Sequence, residues 1–262
     1  MTTTRLLVVV VTGAMVVVLG GCGPLDRRLG DDDCTVQTGG KLHELEREEA
    51  MASTTIAAVG SRNGAPEALV ATVLDQVLTG DVTVTDPETA ATAYASVPLD
   101  ANPSNDSLQL AKVLLGADGP GLTCRALVEP TGVQDEAADG LTPRTGRLLR
   151  RLEATFGDLP TGGYAPGGVS SGHMDGSAHY DGRAVDVFFR PVEAENRRRG
   201  WVLAQWAVAH AEQLEIATVI FDDHIWSSRR SDSGWRDYRP GGDRDNEVLR
   251  HLDHVHLDVV RG

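Results

Sequence analysis

The chain has 262 residues, of which 41% are hydrophobic and 24% charged. That is enough apolar content for one or two soluble globular domains with a core of their own. A net charge of −14 argues against nucleic acid as a partner, because a phosphate polyanion would be repelled.

The N-terminus reads as a targeting segment. Arg5 supplies a minimal positive region, and Leu6 to Leu19 is an apolar stretch too short for a comfortable membrane span but right for a signal peptide. It ends in Leu19-Gly20-Gly21-Cys22, which resembles a bacterial lipobox. Cleavage of residues 1–21 would leave Cys22 to carry the lipid and hold the protein on the extracytoplasmic face of the membrane, where more than one acyl chain gives stable anchoring. An ordinary secretory signal with a chance cysteine is the other reading. Setting Cys22 aside leaves Cys34 and Cys124, which in an exported protein are expected to form a disulfide; two free thiols are the alternative.

Residues 22–40, rich in Gly, Asp and Arg, read as a tether. Residues 41–128 read as a small helical domain. A first helix is expected over 41–58, and a second has Pro66 in its first turn, a Leu69, Val70, Val73, Leu74, Val77 stripe and a stop at Gly80. Turn formers occupy 81–107, and a third helix is expected from Leu108 to Leu115. The stretch Ala71-Thr-Val-Leu-Asp75-Gln76-Val77 faintly resembles the catalytic segment of lytic transglycosylases. Gln76 stands where those enzymes have Glu and cannot donate a proton, so the resemblance implies a non-catalytic, glycan-binding relic.

Residues 129–141 read as a linker and 142–262 as the second domain. Thr142 as N-cap and Pro143 at the first helical position mark a helix with a Leu148, Leu149, Leu152, Phe156 stripe, stopped by Gly157. A glycine-rich loop follows over 158–178, then a strand from Ala184 to Phe189, a helix from Glu195 to Leu214, a strand from Thr218 to Phe221, a polar loop over 223–247, and a terminal strand from Val255 to Val260. Helices followed by a few strands, with no strict βαβ repeat, indicate an α+β fold with a small mixed or antiparallel sheet. Trp201 and Trp206 are expected in the core, while Trp226 and Trp235, in the polar loop, are placed to touch substrate.

Seven of the eight histidines fall between positions 173 and 256. His179 and Asp186 belong to the pattern S-x-H-x-x-G-x-A-x-D, with Gly182 allowing the tight turn between them. Asp186 lies in an apolar strand, where a carboxylate is costly unless paired or metal-bound. His254 and His256, two residues apart on a strand, project from one face. His179, Asp186 and His256 would give a hydrolytic zinc ion its three protein ligands and leave a fourth position for water. Asp253 is the favoured general base, provided the chain bends at 253–254, and His254 the auxiliary group; the margin between them is small. Ser177 and Arg183 could bind a substrate carboxylate or support the ligands. His173, in the glycine-rich loop, reads as a surface residue or a support behind the ligands, His224 and His251 as surface residues or part of the site rim, and His210 as packed or half exposed.

Residues 177–186 followed by the distant His-x-His resemble the superfamily of lysostaphin-type peptidases, D-alanyl-D-alanine metallopeptidases and Hedgehog domains, with the D-alanyl-D-alanine branch the closer match. The region 162–259 also resembles exported actinobacterial proteins. The resemblance covers about 140–262 and implies zinc at His179, Asp186 and His256, with cleavage of D-Ala-containing peptides of peptidoglycan. Together with the lipobox-like segment, the expectation for the whole chain is a lipid-anchored monomer. One departure stands out. Many relatives carry Glu three residues before the last ligand, where this chain has Asp253. The alternative expectation is therefore a catalytically inactive, metal-binding lipoprotein that binds the cell wall.

Overall fold

Strand β1 (Cys34–Thr38) and strand β2 (Lys41–Leu45) come first in a computed structural model that describes residues 34–98, 101–129, 131–241 and 245–262. The expected signal peptide and Cys22 lie outside these residues. Gly39 and Gly40, both with positive φ, make a two-residue hairpin turn. β1 is the middle strand of a three-stranded antiparallel sheet, with β3 (Leu122–Cys124) on its other side. Cys34 stands directly opposite Cys124, and the two form the expected disulfide. Two expectations need correcting here. The tether does not reach residue 40, and residues 41–45 are strand rather than helix. The deciding signal is the alternation in Cys34-Thr-Val36-Gln-Thr38, which buries every second side chain.

Four helices follow: α1 (Arg47–Arg62), α2 (Glu67–Leu78), α3 (Pro87–Ser96) and α4 (Asn105–Leu114). The transglycosylase-like stretch lies on α2, whose Val70, Val73 and Leu74 are buried as the stripe requires. Asp86-Pro87 is expected as a turn. It is the start of α3, with Asp86 as N-cap accepting from the Glu88 and Thr89 amides and Pro87 at the first helical position.

Helix α5 (Pro143–Phe156) begins as expected, with Thr142 accepting from the Thr145 amide. After it comes a six-stranded antiparallel sheet of order β4-β5-β9-β6-β7-β8. Its members are β4 (Thr161–Gly162), β5 (Ala184–Phe188), β6 (Ile216–Phe221), β7 (His224–Ser227), β8 (Arg236–Asp237) and β9 (His254–Val259). Helix α6 (Ala194–Ala209) packs on β6 and β9 and also on α1, so it is buried on nearly every side; a short α7 (Ala211–Leu214) follows. The chain is thus α+β with antiparallel sheets.

Residues 32–262 form one compact unit, so the expected division at 129–141 separates no two bodies. The polar loop expected over 223–247 supplies the reason. It contains β7, β8 and a 3-10 helix, and its tryptophans face inward. Trp226 is buried and donates Nε1–H to the Cys124 carbonyl, and Trp235 donates to the Leu122 carbonyl. Gln205 on α6 accepts from the Leu122 amide. The two tryptophans, expected to touch substrate, instead stitch the two sheets together. Among the described residues no helix is long and apolar enough to cross a membrane.

Candidate metal centre

The site is built on the pairing of β5 with β9. Asp186 and His256 are direct partners in that register, and both project into a cavity of about 590 Å³. His179 arrives from the neighbouring 3-10 helix (Ala178–Asp181). Ser177 caps this helix, accepting from the His179 amide, and Gly182 ends it with φ +61, the left-handed turn that returns the chain to β5. The S-x-H-x-x-G-x-A-x-D pattern is therefore a cap, a candidate ligand, a turn and a strand in sequence. Ser177 and Arg183 both line the cavity. Arg183 is also committed elsewhere, donating to the Val259 carbonyl and to Asp181.

His179 Nε2, His256 Nδ1 and Asp186 Oδ1 form a triangle with edges of 3.1, 3.1 and 3.2 Å. All three side chains are buried. Three ligands about 2.0–2.1 Å from a tetrahedral ion stand roughly 3.3–3.4 Å apart, so the triangle is close to the size a small divalent cation needs. The outer nitrogens fit as well. His179 Nδ1 lies 2.8 Å from the Gly163 carbonyl, and His256 Nε2 lies 3.4 Å from Asp258 Oδ2. Each ring can give its N–H outward and turn a lone pair inward, the arrangement metal-bound imidazoles adopt. Converging lone pairs beside a carboxylate need positive charge between them. With a proton alone, burial works against the charged imidazole, yet the Asp186 and Asp258 carboxylates hold His256 up at about 9. Burial opposes the charged form of Asp186 too, but hydrogen bonds from His179 and His256 keep it well below the usual carboxylate range.

Close packing around the triangle leaves no slack. A Cβ on Gly163 would fall 2.3 Å from His179 Cε1 and 3.1 Å from Asp186 Oδ2. His254 shares the face of β9 with His256, as two-residue spacing on a strand requires, and its Nε2 is 3.9 Å from Asp186 Oδ1. Asp253 lies behind His254. It accepts from His254 Nδ1 at 2.7 Å and pairs with Arg190 at 2.6 Å, and it is absent from the cavity wall.

His251, expected at the surface or the site rim, and His173, expected at the surface or as a support behind the ligands, both line the cavity. His251 packs 4.6 Å from His254 and 5.8 Å from His256, ring to ring, and burial together with those imidazoles pushes it down to about 3. His173 stacks on His179 at 3.9 Å, and His173, His179 and Asp186 offer ligand atoms within 4.8 Å of one another. Neither sits in a periodic element, so only the clustering of histidines signalled them. His224 packs against Trp201 and His210 against Trp206, outside the site.

A family model described as VldE, C-terminal domain, matches residues 137–249 of this chain. The matched segment contains His173, His179 and Asp186 and stops before Asp253, His254 and His256. No curated protein and no solved structure matches the chain.

Proposed function

We propose that this protein is a zinc-dependent peptidase acting on D-Ala-containing peptides of peptidoglycan, tethered through a lipid on Cys22 to the extracytoplasmic face of the membrane. The observation that carries the proposal is the triangle of His179 Nε2, Asp186 Oδ1 and His256 Nδ1, sized for one cation and opening onto a peptide-sized cavity. Imidazole and carboxylate ligands in a small tetrahedral set suit zinc among the common divalent ions. The ion, when bound, supplies Lewis acidity and lowers the pKa of water at the site.

The chain's own residues supply the rest. His254 presents Nε2 to the site and takes up the proton there, while Asp253 holds the opposite nitrogen and so fixes the tautomer. Arg190 pins Asp253 in turn. This exchanges the two roles expected from the sequence: His254 is the base, and Asp253 orients it. Met174, Tyr238, Val248 and Leu249 give the cavity an apolar wall against which a small side chain such as that of alanine can lie.

The test is zinc stoichiometry and cleavage measured on one preparation. The expected result is one zinc per chain, lost in His179→Ala and Asp186→Ala, with cleavage of D-Ala-D-Ala peptides or intact sacculi by the loaded protein. Fully loaded protein that cleaves neither would favour the second reading, a wall-binding lipoprotein with a structural metal. That reading draws on the position of Asp253, whose carboxylate is held away from the cavity.

A further inference from the structure

One wall of the cavity is built where three chain segments meet: the β6–β7 turn, the loop before β9 and the chain after β8. Asp222 and Asp223 form the two-residue turn between Phe221 and His224, both with positive φ. Their amides donate to the His251 and Arg250 carbonyls at 2.8 and 3.1 Å. The Asp223 carbonyl accepts from the Tyr238 amide at 2.6 Å, and the Asp223 carboxylate pairs with Arg250. His251 itself has φ +54, a strained backbone conformation that persists only where the surroundings enforce it. This network fixes two side chains on the cavity wall, Tyr238 and His251, with ring centroids 5.0 Å apart and planes at 89°. His251 Nδ1 donates to the Leu249 carbonyl at 3.2 Å, which puts the proton of the neutral ring on Nδ1 and leaves Nε2 as an acceptor. Neither that nitrogen nor the Tyr238 hydroxyl has a hydrogen-bond partner among the described residues.

We propose that Tyr238 and His251 form a subsite that reads the backbone of one internal residue of the substrate, so that the protein acts on peptides extended beyond the cleaved bond rather than on a free dipeptide. The proposal rests on the peptidase reading above and narrows its substrate class. A residue in an extended peptide turns its own N–H and C=O to the same side, as a strand does toward its antiparallel neighbour. A phenol that donates beside an imidazole that accepts is the complement of that pair: the carbonyl takes the Tyr238 proton and the amide gives its proton to His251 Nε2. The His251 ring lies 4.6 Å from His254 and 5.8 Å from His256, so the residue read in this way adjoins the bond held at the triangle. A free dipeptide has a single peptide bond, and neither of its residues carries both an amide N–H and an amide C=O.

The test compares two substrates on the full, zinc-loaded chain: free D-Ala-D-Ala, and N-acetyl-D-Ala-D-Ala-D-Ala amide, in which every residue offers both groups. The expected result is a kcat/KM at least about a hundredfold higher for the blocked tripeptide, the worth of two hydrogen bonds in a partly buried site. Tyr238→Phe and His251→Phe keep the rings and remove one hydrogen-bonding group each, so each should reduce that ratio by about tenfold. A general disturbance of the site would lower both rates and leave the ratio alone. Equal kcat/KM for the two substrates in the wild type overturns the proposal and leaves the peptidase reading standing. So does a wild-type ratio in both variants. Should His251→Phe lose zinc through its contact with the ligand rings, the ratio in Tyr238→Phe decides. If the loaded wild type cleaves neither substrate, calorimetric titration with the tripeptide separates the two readings. Binding that Tyr238→Phe weakens keeps the subsite and defeats only the peptidase, whereas no binding defeats both.

Discussion

Asp186 and His256 face each other across the β5–β9 ladder, seventy residues apart in sequence and 3.1 Å apart at Oδ1 and Nδ1. A direct cross-strand pair is among the most rigid ways a fold can hold two ligands, since their separation is set by the sheet. The third corner, His179, has no such support. It sits on a single 3-10 turn and owes its position to Ser177 before it, Gly182 after it and the Gly163 carbonyl beneath its ring.

Gly163 should therefore be as demanding a position as the ligands themselves. Its φ is +81, and an added methyl would strike the His179 ring at 2.3–2.4 Å. Gly163→Ala is expected to abolish stoichiometric metal binding while leaving the far-UV circular dichroism of the α+β fold intact. Retained one-to-one binding would show that the 3-10 turn can shift to make room.

The Asp253–His254 pair predicts a different signature. Asp253→Asn keeps the shape but removes the charge that fixes the His254 tautomer, so cleavage should fall by about a hundredfold to ten-thousandfold, the usual worth of a positioned base. Zinc content should stay at wild type, because Asp253 touches none of the three ligand atoms of the triangle. Arg190→Ala should act in the same direction and more weakly, as the Arg190 side chain is half exposed. Loss of zinc in Asp253→Asn would instead make this carboxylate part of the metal support.

Much of this site is legible in the sequence because its chemistry is local. The pattern from Ser177 to Asp186 spans one cap, one turn and one strand, and an isolated carboxylate among Val185, Val187 and Phe188 advertises its need for a cation. The i, i+2 spacing of His254 and His256 fixes their common face. The direction of Asp253 is not legible, since it depends on a bend just before β9 and on Arg190, sixty-three residues earlier in the chain. The inward turn of Trp226 and Trp235 is hidden for a similar reason. Their partners are backbone carbonyls of β3, a three-residue strand too short to announce itself. The strands over 34–45 are masked by polar and glycine-rich composition that outweighs a five-residue alternation, and α3 is masked because Asp-Pro opens turns and helices alike.

The Cys34–Cys124 bridge closes the N-terminal sheet across a sequence separation of 90 residues. Chain-entropy reasoning gives such a loop about 4–5 kcal/mol. The double variant Cys34→Ser, Cys124→Ser is expected to lose roughly that amount in urea unfolding. Because the two sheets share Trp226 and Trp235 as hydrogen-bond donors, the loss should lower one common transition rather than create an early step for the N-terminal part. A separate first transition would mean that the two sheets unfold independently.

A stability profile against pH isolates one buried group far from the cavity. His210 is fully enclosed, stacked on Trp206 at 4.3 Å with Nδ1–H donating to the Trp206 carbonyl. Burial, helped by the nearby charge of Arg151, pushes its pKa from 6.5 down to about 3 in the folded chain. The unfolded chain thus takes up a proton on this imidazole before the folded chain does. Its contribution to stability is complete above pH 6.5 and is lost as pH falls from there toward 3, at up to about 1.4 kcal/mol per pH unit. His210→Gln removes the titrating group and should flatten this part of the profile, even if its packing loss lowers stability at pH 7. Urea midpoints for both proteins between pH 7.5 and about 4 decide the matter. Parallel profiles would mean that another group accounts for the acid sensitivity, with His251, partly buried and also held near 3, the next to replace.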